Sequence, residues 1–145
     1  MIWSLVRSVG AVLVGLVVAM VLIVGLEALS SIVHPFPPDV DPTDIEVCKA
    51  HVVRYPAWFL VVAIFAWGLT TFLCAWLATR LGLRRHRAHG LVVGTILFAL
   101  AVMNMSMLPY PIWFWAGNLI VFPLGFYCGA TLGGPRPSAA DGSGI

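Results

Sequence analysis

Hydrophobic residues fill three long stretches of the chain, and all charged residues lie outside these stretches. No Asp, Glu, Lys or Arg occurs at residues 8–26, 55–79 or 88–135. A helix of about 20 apolar residues crosses a hydrocarbon core of about 30 Å, so the first two stretches predict one membrane-spanning helix each. The third is long enough for two. Pro109 and Pro111 predict the break between them, because proline does not continue a helix.

This pattern predicts an all-α fold, an integral membrane four-helix bundle. A single membrane domain over residues 1–134 would be followed by a flexible cytoplasmic tail at 135–145. The four predicted spans lie at about residues 8–33, 56–79, 90–108 and 112–132. Strand-like alternation is absent, and backbone that crosses lipid must satisfy its own hydrogen bonds. A secretory signal peptide is the alternative interpretation of the first stretch, although that stretch exceeds the usual apolar length of about 7 to 15 residues.

Composition supports the membrane class. Hydrophobic residues make up 61% of the chain and charged residues 10%, against roughly 45 to 50% and about 25% in soluble domains. These values exclude a water-soluble monomer and a disordered chain. The formal net charge of +2 is too small and too scattered to indicate nucleic-acid binding. Cys48, Cys74 and Cys128 form no C-x-x-C pair, and the sequence indicates no cofactor.

Basic residues predict the orientation, because loops on the cytoplasmic side carry more Lys and Arg. Only Lys49 and Arg54 belong to the opposite side. Six arginines belong to the predicted cytoplasmic side: Arg7, Arg80, Arg84, Arg85, Arg87 and Arg136. We therefore expect a multi-pass protein of the bacterial cytoplasmic membrane with both termini in the cytoplasm.

The loop between the first two spans is predicted to carry a short extracytoplasmic surface helix. Asp41 is the predicted N-cap, and the helix should run to about Arg54. A helix lying on the membrane surface is one interpretation. The other interpretation is the start of a metal site. Asp44, Cys48 and His51 share one side of this helix, and their side chains are of the types that bind zinc.

Polar residues within the spans are the candidate ligand-binding residues. Glu27 shares a helix face with His34 and is expected on the order of 10 Å inside the outer boundary, about seven residues along a helix. Antiparallel spans would put Glu27, Asn104 and Asn118 in one layer. That layer could join helices by hydrogen bonds, or it could form the floor of a pocket with Trp67 as its lower wall.

Two G-x-x-x-G patterns, at residues 90–94 and 125–129, let helices approach closely. We interpret them first as packing within the bundle and second as an oligomer contact.

The chain resembles a group of small four-span bacterial membrane proteins without an assigned activity. The resemblance rests on Glu27, on Pro35-x-Pro37-Pro38-x-x-Asp41-x-x-Asp44, and on Pro109-x-Pro111-x-Trp113-Phe114. It implies the topology and no reaction.

The first functional hypothesis is a non-enzymatic accessory or binding module. It would contact the lipid bilayer, form a homo-oligomer or join a larger membrane complex, and use the loop and the Glu27 layer. The alternative is a membrane-embedded metal-dependent enzyme, or an oligomeric carrier, that uses Glu27 and His34. No nucleophile and base pair is evident in the sequence.

Overall fold

The computed structural model describes residues 2–135 as helices, turns and loops, with no β-strand in that range. Four helices are long and apolar enough to cross a membrane: α1 (Ile2–Val33), α3 (Ala57–Leu81), α4 (Ala88–Met107) and α5 (Ile112–Gly133). A short helix α2 (Ile45–Val53) lies between α1 and α3, and a 3-10 turn (Leu83–Arg85) joins α3 to α4. The fold is the predicted all-α membrane four-helix bundle. Residues 136–145, which hold most of the predicted tail, lie outside the described residues.

The four long helices pack antiparallel in sequence order, so the bundle has two distinct ends. We call one the α2 end; it holds the end of α1, the helix α2 and the turn between α4 and α5. We call the other the arginine end; it holds the start of α1 and the turn between α3 and α4. At the arginine end, Arg7 donates its Nε–H to the carbonyl oxygen of Leu81 at 3.2 Å. Helix α1 begins at Ile2, six residues before the start of the first predicted span.

The helices α3 and α5 run parallel and form the most extensive contact in the bundle. Three glycines four residues apart on α5 face three carbonyl oxygens four residues apart on α3. The pairs are Gly125 with Gly68, Gly129 with Phe72, and Gly133 with Trp76. A Cβ atom would lie 2.8 Å from the oxygen at the first pair and 2.7 Å at the third, and it would overlap the oxygen at the second. Glycine is thus needed for this approach, as in other close helix pairs of membrane proteins.

The other G-x-x-x-G pattern also packs inside the bundle. A Cβ atom on Gly90 would overlap the carbonyl oxygen of Ala75, and one on Gly94 would overlap the ring of Phe126. Both patterns therefore serve packing within the bundle, which is the first of the two interpretations above.

Helix α1 contacts α3 and α4 along one narrow face. Its buried residues are Ala11, Gly15 and Ala19, which repeat every four positions and so lie on one side of a helix. A Cβ atom on Gly15 would lie 3.2 Å from the Cβ of Ala78 and 3.3 Å from the carbonyl oxygen of Cys74. The rest of the α1 surface is largely exposed and apolar, as expected for a helix that contacts lipid.

The short helix α2 begins later than the sequence predicts. Asp41 does not cap it, because its Oδ1 accepts from the backbone N–H of Thr43 at 2.8 Å and from the Thr43 hydroxyl at 2.7 Å. Asp44 is the N-cap instead, and its Oδ1 accepts from the backbone N–H of Glu46 at 2.8 Å. The helix consequently starts at Ile45, while its end at Val53 is close to the predicted Arg54.

Candidate functional site at the α2 end

Five aromatic rings form a continuous stack at the α2 end of the bundle, which we call the ring stack. In order, it contains Phe36, His51, His34, Tyr55 and Phe59. Successive ring centroids are separated by 3.9, 4.5, 4.9 and 4.9 Å, within or just below the range of favourable aromatic pairs. The stack joins the end of α1, the following loop, α2 and the first turn of α3. It therefore fixes the loop to the bundle.

Tyr55 attaches the ring stack to α1, and a second tyrosine, Tyr110, lies near it. The hydroxyl of Tyr55 is 2.9 Å from the Ser30 Oγ on α1. Tyr110, in the turn between α4 and α5, stacks on Phe114 with ring centroids 4.5 Å apart. Burial raises the pKa of Tyr110 above its usual range, and the nearby Tyr55 and Cys48 raise it further. All four spans therefore contribute to the structure at this end, directly or through this turn.

The two histidines of the ring stack are in contact, and the site favours the neutral form of His51. His51 is only 4% exposed. Its pKa is lowered first by this burial and then by the neighbouring His34 and by Arg54, while a hydrogen bond with the His34 backbone opposes the shift. The Nε2 atom of His34 is buried and has no partner among residues 2–135. A charge on His51 would be costly, because its ring lies away from water.

The three candidate metal ligands of the loop point to separate partners. Asp44 caps α2, the thiol of Cys48 donates to the carbonyl oxygen of Pro42 at 3.2 Å, and His51 lies in the ring stack. No group of three or more His, Cys, Asp or Glu residues that could hold a metal ion occurs in the described part of the chain. Separate local bonds, which the helical spacing alone did not reveal, keep these side chains apart.

The predicted polar layer is divided between the surface and the interior. Glu27 is exposed, and it makes no hydrogen bond or ion pair with any residue in 2–135. Asn104 is exposed beside the buried Met105, whereas Asn118 is fully buried. The structure therefore does not bring the three side chains together.

Asn118 and Trp67 take part in packing between α3 and α5. The Asn118 Nδ2 donates to the carbonyl oxygen of Phe114 at 2.9 Å on the same helix, and its Oδ1 is buried without a partner among the described residues. Trp67 contacts Phe114 and Phe122 edge to face, with centroids 5.6 and 6.2 Å apart. Trp67 thus fills the core between two hydrophobic clusters, where the sequence predicted a pocket wall.

Of the candidate residues, only His34 and His51 meet. Sequence reasoning missed their partners Phe36, Tyr55 and Phe59. A signal was present, because His51, Tyr55 and Phe59 repeat every four residues, but Pro56 interrupts the helix there and hides the repeat.

No protein-family model, no curated protein and no solved structure matches this chain. The functional argument therefore depends on the geometry of the described residues. The resemblance to small four-span membrane proteins stays an expectation from the quoted motifs.

Proposed function

We propose that the protein is a non-enzymatic accessory or binding module of the bacterial cytoplasmic membrane. Its working surface is the loop at the α2 end, with both termini in the cytoplasm. The observation that carries this proposal is the ring stack, in which the 4% exposed His51 ties the loop to the bundle. A tied loop presents its outward side chains in defined positions, which lowers the entropy cost of binding.

The outward surface of the loop is acidic. Its exposed carboxylates are those of Asp39, Asp41, Asp44 and Glu46. Hydrogen bonds from the hydroxyl and backbone N–H of Thr43 lower the pKa of Asp41, so this carboxylate is charged at neutral pH. The nearby basic residues are Lys49, which pairs with Glu46 at 2.8 Å, and Arg54. We expect the bound partner to carry a basic segment.

The exposed surface of α1 supports an accessory role. Only Ala11, Gly15 and Ala19 of this 32-residue helix are buried. The remaining surface is available to lipid, to a second copy or to the helices of a larger membrane complex. An accessory protein that docks through α1 would leave its acidic loop free at the membrane surface.

Site-specific photocrosslinking tests the proposed function. A benzophenone amino acid replaces Val40 in the loop, and the matched control replaces Val17, which is 62% exposed in the middle of α1. Irradiated native cells should give from position 40 a protein adduct of a defined mass that position 17, which reports the neighbours of α1 within the membrane, does not give. Asp39→Asn with Glu46→Gln should weaken this adduct, because the pair removes two charges, and Lys49→Gln should not. Absence of a loop-specific adduct, or an adduct insensitive to the acidic pair, would contradict the proposal.

A further inference from the structure

A surface groove lies at the arginine end, opposite the ring stack. It has a volume of about 410 Å³ and is lined by Trp3, Ser4, Val6, Arg7 and Leu83. Its walls are mostly apolar, and Arg7 supplies its charge. The groove lies between the first turns of α1 and the turn that joins α3 to α4.

A second groove of about 380 Å³ shares Ser4 and Leu83 with the first. Its other lining residues are Ile2, Leu5 and Ser8. The two grooves therefore adjoin, and both offer apolar walls at the end of the bundle.

Arg7 is positioned at the level where the membrane-spanning part of the bundle ends. Its Nε–H is fixed at 3.2 Å to the carbonyl oxygen of Leu81, the last residue of α3. The N–H groups of its two Nη atoms make no bond within residues 2–135. A guanidinium held in this way offers a planar pair of donors, which fits two oxygens of a phosphate group.

The arginine end has an excess of positive charge that the described residues do not balance. Besides Arg7, it carries Arg80, Arg84, Arg85 and Arg87. Every Asp and Glu in the described range lies within residues 27–46, at the other end. Lys49 and Glu46 form the one ion pair found among residues 2–135, and this pair also lies at the α2 end. Anionic groups from outside this part of the chain are therefore favoured here.

We propose that these grooves bind one anionic phospholipid. The phosphate is bound by the free donors of Arg7. The glycerol and the first carbons of the two acyl chains lie against the apolar walls of the adjoining grooves, from which the chains enter the membrane beside α1. The surrounding arginines select an anionic headgroup over a zwitterionic one, because basic residues near a membrane surface attract net negative charge. This site is independent of the ring stack and of the function proposed for the loop.

Lipid titration of the full chain tests the site. Delipidated protein in a neutral detergent is titrated with dioleoylphosphatidylglycerol or dioleoylphosphatidylcholine, and bound lipid is counted by native mass spectrometry. We expect one tightly bound phosphatidylglycerol and weaker phosphatidylcholine. Arg7→Lys keeps the charge but loses the paired donors, so affinity should fall about tenfold. The matched change Arg54→Lys, at the α2 end away from the grooves, should leave affinity unchanged.

A second pair of variants tests the groove without altering Arg7. Val6→Trp fills the groove and should prevent the tight binding, whereas Val17→Trp, on an exposed part of α1 away from it, should not. If Arg7→Lys unfolds the protein, this pair decides the question. Equal affinities for Val6→Trp and Val17→Trp would overturn the proposal, as would equal affinities for the two lipids. Displacement of the lipid by millimolar inorganic phosphate would also overturn it, because the acyl chains would then contribute nothing.

Discussion

Adding single methyl groups along the α3–α5 interface is expected to destabilise the bundle in a graded order. A Cβ atom on Gly129 would overlap the carbonyl oxygen of Phe72 and lie 3.0 Å from the Trp76 nitrogen. Both obstacles are main-chain atoms of a helix, so they cannot rotate away. A Cβ atom on Gly125 would lie 2.8 Å from a carbonyl oxygen, whereas one on Gly10 meets nothing within 4 Å.

The size of the effect follows from these distances. Carbon and oxygen normally approach no closer than about 3.3 Å, so Gly125→Ala must move α5 by roughly half an ångström, and Gly129→Ala must move it further. Overpacking of this kind costs about 1 to 3 kcal/mol. In open space, Ala favours a helix over Gly by about 1 kcal/mol. Because this gain applies at both positions it cancels in the comparison, and we expect Gly129→Ala to be about 1 to 3 kcal/mol less stable than Gly10→Ala, with Gly125→Ala in between.

The assay is reversible unfolding in mixed micelles with increasing sodium dodecyl sulfate, followed by circular dichroism. Each variant gives a free energy of unfolding relative to the unchanged protein. Equal values for Gly129→Ala and Gly10→Ala, within about 0.5 kcal/mol, would refute the close parallel packing of α3 on α5.

Three further predictions concern the loop, the interior and the orientation. The pKa of His51 lies below its ordinary value of 6.5, mainly because of burial. The ring stack should therefore hold the loop on the bundle above pH 6.5, and the loop should detach as the pH falls through the lowered pKa. A spin label on Cys48, with the other two cysteines replaced, should become more mobile on acidification, and His51→Gln should abolish this change. A label mobility that stays constant with pH in the unchanged protein would contradict the prediction. Asn118→Leu should change stability by less than about 1 kcal/mol in the same unfolding assay, because the loss of the Nδ2 bond to the Phe114 carbonyl is offset by removal of a buried Oδ1 that has no partner among the described residues. A larger loss would indicate an essential polar role. In intact cells, an impermeant thiol reagent should label Cys48 and miss a cysteine at position 85; the reverse pattern would invert the proposed topology.

The sequence predicted the helices well because charge and proline mark their ends. Pro109 and Pro111 separate α4, which ends at Met107, from α5, which starts at Ile112. Helix α1 begins at Ile2, six residues before the predicted span, because a helix can continue past the charged residue that marks the end of a span. The start of α2 was wrong, since Thr43 occupies the carboxylate of Asp41.

The candidate site was harder to predict because the spans are apolar on nearly all sides. An amphipathic pattern normally shows which face of a helix turns inward. Without one, the depth of Glu27 and Asn118 could be estimated, but their directions could not. Glu27 is eight residues beyond the buried Ala19, or about 80° around the helix, and it faces outward. The ring stack depends on contacts between the loop and three helices, which spacing along one helix does not reveal.

Hydrogen exchange of the α2 amides tests the central claim, that the ring stack holds the loop on the bundle. The full chain in lipid nanodiscs is compared with His51→Ala at neutral pH. In the unchanged protein, backbone amides from Cys48 to Val53 should exchange slowly, and in the variant they should approach the rate of an unfolded peptide. The amides of α3 should be equally protected in both proteins. Fast exchange of α2 in the unchanged protein, or equal protection of α2 in the variant, would contradict the account.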